Sequence, residues 1–68
     1  MTQVVAAELK VGDVVRIRGE QHWWEVYSMF FEGPGIIDIG LLSLDEEVGY
    51  SYNWHVSAAD EVERWDAR

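Results

Sequence analysis

The stretch that decides the fold is residues 22–44, which read HWWEVYSMFFEGPGIIDIGLLSL. Two runs rich in aromatic and aliphatic residues flank a cluster of proline and glycine, an arrangement typical of two antiparallel strands joined by a turn. Pro34, the only proline of the chain, stands between Gly33 and Gly35, and these residue types favour a tight turn. The sequence therefore predicts a long β-hairpin at the centre of the chain, with residues 32–35 at its tip.

The first strand of this hairpin has two alternating faces, and a carboxylate indicates which one is exposed. Trp23, Glu25 and Tyr27 share one parity, and the residues between them have the other. Burying an unpaired carboxylate costs several kcal/mol, so we expect the Glu25 face to lie at the surface. The residues predicted to face the core are Trp24, Val26 and Phe30.

Two further segments continue the alternation. In the predicted strand 36–44, Asp38 marks the outer face, so Ile37, Ile39 and Leu41 are expected to point inward. Asp45, Glu46 and Glu47 predict a solvated turn. In the predicted strand 48–56, the residues expected on the core face are Val48, Tyr50, Tyr52, Trp54 and Val56.

The beginning of the chain predicts two short strands separated by a turn. Residues 4 and 5 are expected to form an edge strand, and residues 6–13 a turn that presents Leu9 and Val11 to the core. Residues 14–18 alternate, with Val15 and Ile17 inward. Arg16 and Arg18 are expected on the other face, in cross-strand pairs with carboxylates.

The end of the chain admits two interpretations. Residues 57–60 match a helix capping box, and Ala58, Val62 and Trp65 recur at helical spacing. Residues 61–65 also alternate, which favours a strand. We favour a single 3₁₀ turn over 57–60 followed by a short last strand. The expected architecture is one all-β domain over residues 1–68, a small five-stranded barrel, because closure removes exposed sheet edges.

The pattern of hydrophobic residues and turns resembles a known family. Residues 9–20 read LKVGDVVRIRGE and are similar to the opening of SH3-like barrels of the KOW type, such as the N-terminal domain of elongation factor P. The likeness runs through residues 30–35 and covers about residues 5–62. It implies an SH3-like five-stranded barrel with a short 3₁₀ turn near the C-terminus. The matching loop carries Glu32 and lacks the basic residue of that family, so translation-factor activity is not implied.

A second resemblance concerns the adjacent Trp23 and Trp24. They are similar to the paired tryptophans of true SH3 domains, the first of which lines a groove for proline-rich peptides. The chain lacks the Ala-Leu-Tyr-Asp-Tyr opening of those domains. The resemblance implies a peptide-binding role for Trp23.

Composition narrows the classes of partner. Thirteen carboxylates oppose five basic residues in 68, giving a formal net charge of −8. Such a surface repels phosphate backbones and anionic membranes, which argues against direct binding to nucleic acid or lipid. The absence of cysteine fits a reducing, cytoplasmic location. We expect no signal peptide, because the first residues lack a basic segment followed by a long apolar one.

The candidate binding residues lie on the outer face and at the tip of the predicted hairpin. Trp23, Glu25 and Tyr27 form an aromatic and acidic patch suited to a cationic or polyproline ligand. Glu32 and Pro34 add a protruding contact. His22 and His55, which have Asp38 or Glu25 as possible partners, match no catalytic or metal-binding motif, so we expect neither enzymatic activity nor a metal or other cofactor.

Two functions remain for a chain of this kind. The first is a protein-interaction module that docks on a larger protein through Trp23, Tyr27 and nearby acids. The second is an acidic inhibitor, or nucleic-acid mimic, that occupies a basic site of a nucleic-acid-handling protein; the charge of −8 favours it. Self-association through the same aromatic patch is a third use of that surface.

Overall fold

The computed structural model describes residues 2–17, 19–44 and 51–65, and in these ranges the protein is all-β. The strands are β1 (Thr2–Val5), β2 (Val14–Arg16), β3 (Trp23–Gly33), β4 (Ile36–Ser43), β5 (Ser51–Ser57) and β6 (Glu61–Arg64), and a 3₁₀ helix covers Ala6–Glu8. Every strand pair is antiparallel, in the order β1-β6-β2-β3-β4-β5. The sheet is not closed, and β1 and β5 lie at its two ends. The described ranges contain six strands, whereas a five-stranded barrel was expected, and the two terminal strands, β1 and β6, pair with each other.

The central hairpin forms as predicted, but its two strands differ in length. β3 has 11 residues and β4 has 8. The register shifts between Val26 and Ser28 and again between Phe31 and Gly33, so Tyr27 and Glu32 are the extra residues of two β-bulges. Pro34 and the left-handed Gly35, with φ of +79°, then reverse the chain. Proline followed by a positive-φ glycine is the combination that a type II turn requires.

The bulge at Tyr27 corrects one of the predicted core positions. The alternation beginning at Trp24 and Val26 holds, and these two side chains are 3% and 0% exposed. The prediction that Phe30 faces the core is wrong, because Phe30 is 65% exposed. The extra residue shifts the parity by one, so Met29 packs against the core opposite Ile39.

The core lies on one face of the folded sheet, and it includes the three residues predicted from the Asp38 parity. Ile37, Ile39 and Leu41 are each fully buried on β4. The other buried apolar residues are Ala6, Leu9, Val15, Trp24, Val26, Val56 and Val62. All ten are hydrophobic, and no polar side chain is buried among the described residues.

The β5 strand confirms its predicted parity only in part. Val56 is buried and Trp54 packs against the core. Tyr52 pairs with Leu41 on the same face but remains 47% exposed, because β5 is an edge strand with a neighbour on one side only. Two other predicted core residues of this segment, Val48 and Tyr50, lie outside the described residues, as does the predicted turn over residues 45–47.

The terminal segments correct two further predictions. Leu9 is buried as expected, but Val11 is 65% exposed because it lies at a turn whose next residue, Gly12, has a φ of +100°. Residues 57–60 form a single turn, closed by the Asp60 amide donating to the Ser57 carbonyl at 3.0 Å, and a strand follows as predicted. The 3₁₀ helix itself lies near the other end of the chain, at Ala6–Glu8. No helix in the described ranges is long and apolar enough to span a membrane.

Candidate functional site

The predicted binding residues do not form one patch, because β3 separates them. Trp23 begins β3, whereas Glu32 and Pro34 lie at its far end and in the turn beyond. A strand advances about 3.3 Å per residue, so the two groups stand roughly 30 Å apart. Each end of the strand therefore has to be considered as a separate site.

An apolar groove surrounds Trp23 at the first end. It is lined by Val14, Trp23, Leu44 and Trp65 and encloses about 370 Å³. We name it the Trp23–Trp65 groove. Leu44 and Trp65 are 48% and 47% exposed, whereas Trp23, which its parity with Glu25 placed at the surface, is half-buried. An accessible concave surface with two indole rings is well suited to grip another apolar side chain.

Backbone hydrogen bonds hold both sides of the groove in place. The Trp65 amide donates to the Val14 carbonyl at 2.8 Å, and the Leu44 amide donates to the Trp23 carbonyl at 3.3 Å. The two indole rings meet edge to face, with centroids 5.4 Å apart. Because each lining residue is fixed to another, the groove needs little reorganisation to accept a ligand.

A charged pair supports the back of the Trp23 ring. The Arg16 guanidinium lies 4.9 Å from the ring centroid and donates to a Glu63 carboxylate oxygen at 2.8 Å. This confirms the expected cross-strand pairing of Arg16 with a carboxylate, and Arg18 lies outside the described residues. The guanidinium attracts the face of the indole, which restricts the orientation of Trp23.

The groove adjoins polar depressions on the side of residues 19–22. Gln21 and His22 line a depression shared with Trp23 and Leu44, and a further one includes Glu20. The Trp24 indole donates to Glu20 at 3.3 Å, and the His22 Nε2 lies 2.7 Å from the Ser43 hydroxyl. The apolar groove is thus adjoined by a polar depression at Gln21 and His22, whereas Glu20 lies in a separate depression with Trp24.

The remaining predicted patch residues lie on the same outer face, farther along β3. Glu25 is half-buried and stands opposite Val14 across the β2–β3 ladder. Tyr27 is 43% exposed and covers Gly40, so the bulge displaces it from the alternation that linked it to Trp23. Glu25 therefore borders the groove, whereas Tyr27 lies over Gly40 and does not line it.

Sequence reasoning missed three residues of the groove, Val14, Leu44 and Trp65, although for the last two the signals were present. Leu44 shares its parity with Asp38, which was correctly assigned to the outer face. In a strand, Trp65 lies on the same face as Glu63 and on the opposite face from the buried Val62. The helical alternative for the last segment obscured this, since it grouped Val62 with Trp65.

At the far end of β3, three polar side chains meet on the outer face. His55 Nδ1 lies 2.9 Å from an Asp38 carboxylate oxygen, and His55 Nε2 contacts Glu32. We name this group the His55 cluster. Asp38 and His55 are a register pair of β4 and β5, and the second bulge brings Glu32 of β3 beside them. The Asp38–His55 pairing considered from the sequence is thus present, with Glu32 as a third member.

Comparisons of the chain with models of protein families, with curated proteins and with solved structures find no match.

Proposed function

We propose that the protein is a non-enzymatic interaction module that docks on a larger protein by holding one of its basic, apolar peptide segments in the Trp23–Trp65 groove. The observation that carries this proposal is the pair of tryptophans that line one accessible groove. Trp is the residue type most enriched, with Tyr and Arg, at positions that dominate binding free energy. Trp65 is exposed and is not part of the buried core, which forms on the opposite face of the sheet.

The apolar part of the ligand is inferred from the lining of the groove. Val14, Trp23, Leu44 and Trp65 all present carbon surface. Its volume of about 370 Å³ is near the lower end of the range for ligand pockets, which suits one or two side chains of a peptide. A proline or an aromatic ring stacks well on an indole face.

The basic part of the ligand is inferred from charge. The molecule carries a net charge of −8, and Glu25 stands opposite the groove residue Val14. Lysine or arginine beside the anchoring residue would therefore be attracted on approach and would pair with Glu25. The apolar anchor supplies most of the affinity, since exposed ion pairs contribute only about 0–1 kcal/mol.

The test is peptide selection followed by binding measurements on matched variants. Peptides selected from a random library against the wild type are titrated into wild type, Trp65→Ala and Tyr52→Ala. Trp65 and Tyr52 are both 47% exposed, but Tyr52 lies outside the groove, so it is a matched control. We expect Trp65→Ala to weaken binding at least about tenfold and Tyr52→Ala to leave it unchanged.

Salt separates this function from acidic mimicry. Docking by tryptophans persists when salt screens the charges, whereas a nucleic-acid mimic releases its basic partner at modest ionic strength. The selected peptides could instead be merely polybasic, bind Trp65→Ala as well as wild type and dissociate at modest salt. That result would contradict the interaction module and favour the nucleic-acid mimic. If the wild type were a dimer and Trp65→Ala a monomer, the occupant of the groove would be a second copy of this chain.

The SH3-like barrel remains the proposed form of the fold. Two contacts support it by joining the halves of the open sheet at one end. The Ala58 amide donates to the Gly35 carbonyl at 2.9 Å, and the Ala6 amide donates to the Asp60 carbonyl at 2.8 Å. The turn between β5 and β6 is thereby tied to both the hairpin tip and the 3₁₀ helix.

A further inference from the structure

The His55 cluster joins three strands on the outer face, away from the Trp23–Trp65 groove. Glu32 comes from β3, Asp38 from β4 and His55 from β5. The side chains are 38%, 34% and 63% exposed, so ions in solution reach them. One donor atom from each residue can be chosen such that all three lie within 4.8 Å of one another.

Hydrogen-bond accounting shows that this cluster has room for a cation. A neutral imidazole has one N–H donor and one lone pair, and an ionised carboxylate can only accept. Here both ring nitrogens face a carboxylate oxygen. A neutral His55 therefore satisfies one of its two neighbours and directs a lone pair at the other. The arrangement is satisfied when a second proton or a metal ion lies on the ring nitrogen.

We propose that the His55 cluster binds a divalent transition-metal ion of the zinc type. His55 Nε2 and the Glu32 carboxylate are the ligands, and water completes the coordination. Asp38 accepts from Nδ1–H at 2.9 Å, which fixes the tautomer that leaves Nε2 free for the metal. A carboxylate bonded to the remote nitrogen of a liganding histidine is the usual outer partner in zinc sites.

The ligand chemistry selects the class of ion. Imidazole with a carboxylate suits Zn²⁺ and its neighbours, whereas Ca²⁺ takes six to eight oxygen ligands. Tetrahedral zinc with bonds of about 2.1 Å separates adjacent ligand atoms by about 3.4 Å. The Glu32 and His55 side chains are exposed, and rotation about their own bonds would have to widen their contact to this spacing. With only two protein ligands, we expect binding to be weak.

Metal binding would cross-link the hairpin tip to the edge strand β5. Glu32 and His55 lie on strands that do not pair with each other, since β4 separates them. An ion bound to both therefore stabilises the folded state by adding a link between them. The ion would act as a cross-link in a chain that contains no cysteine and hence no disulfide.

The experiment is calorimetric titration of the full chain with ZnCl₂ and, separately, CaCl₂. The variants are His55→Gln, Glu32→Gln and Asp38→Asn, with His22→Gln and Glu61→Gln as controls outside the cluster. We expect His55→Gln and Glu32→Gln to abolish specific zinc binding and Asp38→Asn to weaken it about tenfold. The two controls should bind as wild type does, and calcium should bind far more weakly than zinc.

A measurement on the wild type keeps the proposal falsifiable if a variant fails to fold. Long-range ¹H–¹⁵N spectra of the imidazole should show zinc shifting His55 Nε2 while Nδ1 stays protonated, with His22 unchanged. Zinc binding that His55→Gln leaves intact, or that His22→Gln removes equally, would overturn the site. So would an unshifted His55 spectrum at saturating zinc.

Discussion

Gly40 shows most clearly how a single residue shapes the outer face. It lies on β4 beneath Tyr27 and Ser28, and a Cβ built on it would come within 2.8 Å of the Tyr27 ring. The bulge at Tyr27 makes this approach possible, because the extra residue lets the ring lie over the neighbouring strand. A glycine within a strand often marks such a close approach.

Replacing Gly40 with alanine should therefore destabilise the protein. Both Tyr27 and Ser28 would have to move, and overpacking of this kind costs about 1–3 kcal/mol. Gly33→Ala is the matched control, since a Cβ there meets nothing within 4 Å and its φ is not left-handed. Urea unfolding followed by tryptophan fluorescence measures both. Equal stability of the two variants would contradict the close packing of Tyr27 on Gly40.

At the scale of elements, the sequence predicted the strands well and their bulges not at all. Asp38 and Glu25 each marked an outer face, and the residues opposite in parity are buried. Strict alternation then placed Phe30 inward, because nothing local to β3 reveals that Tyr27 is an extra residue. The bulge is fixed by pairing with β4, which is nonlocal information. The same limit hid the His55 cluster, because the second bulge brings Glu32 to it.

The hairpin turn makes a prediction at this scale. Gly35 has a φ of +79°, which a residue with a Cβ adopts at a cost of about 1–2 kcal/mol. Gly35→Ala should lower the free energy of unfolding by that amount, whereas Gly35→Asn should lose less, because asparagine tolerates the left-handed region. Urea denaturation ranks the three proteins. If alanine and asparagine were equally tolerated, the turn would have another geometry.

At the scale of the whole molecule, the apolar core stabilises the folded state, whereas repulsion among surface carboxylates destabilises it. The core is entirely apolar in the described ranges, and the surface carries most of the net charge of −8. Composition alone predicted the acidic surface, and the alternation of hydrophobic residues between turns predicted the all-β fold. Parity could have placed Leu44 and Trp65 on the outer face. Their meeting with Val14 and Trp23 in one groove could not be predicted, because the four residues are distant in sequence and meet only in the folded sheet.

Self-repulsion should make the stability depend on salt. With 13 acidic and five basic residues, screening reduces net repulsion in the folded state more than in the expanded one. The melting temperature should therefore rise between low and moderate NaCl, as followed by circular dichroism. A fall over that interval would mean that attractive pairs such as Arg16–Glu63 outweigh the repulsion.

The most direct test of the central claim is to observe the indole N–H resonances of the wild type during titration with a selected peptide. Trp23 and Trp65 line the groove, whereas Trp54 lies in a different depression with Ile17, Asp60 and Glu61. The account predicts that the Trp23 and Trp65 resonances shift together and saturably while that of Trp54 stays in place. A selected peptide that binds but shifts only the Trp54 resonance, or shifts no indole resonance, would contradict the account.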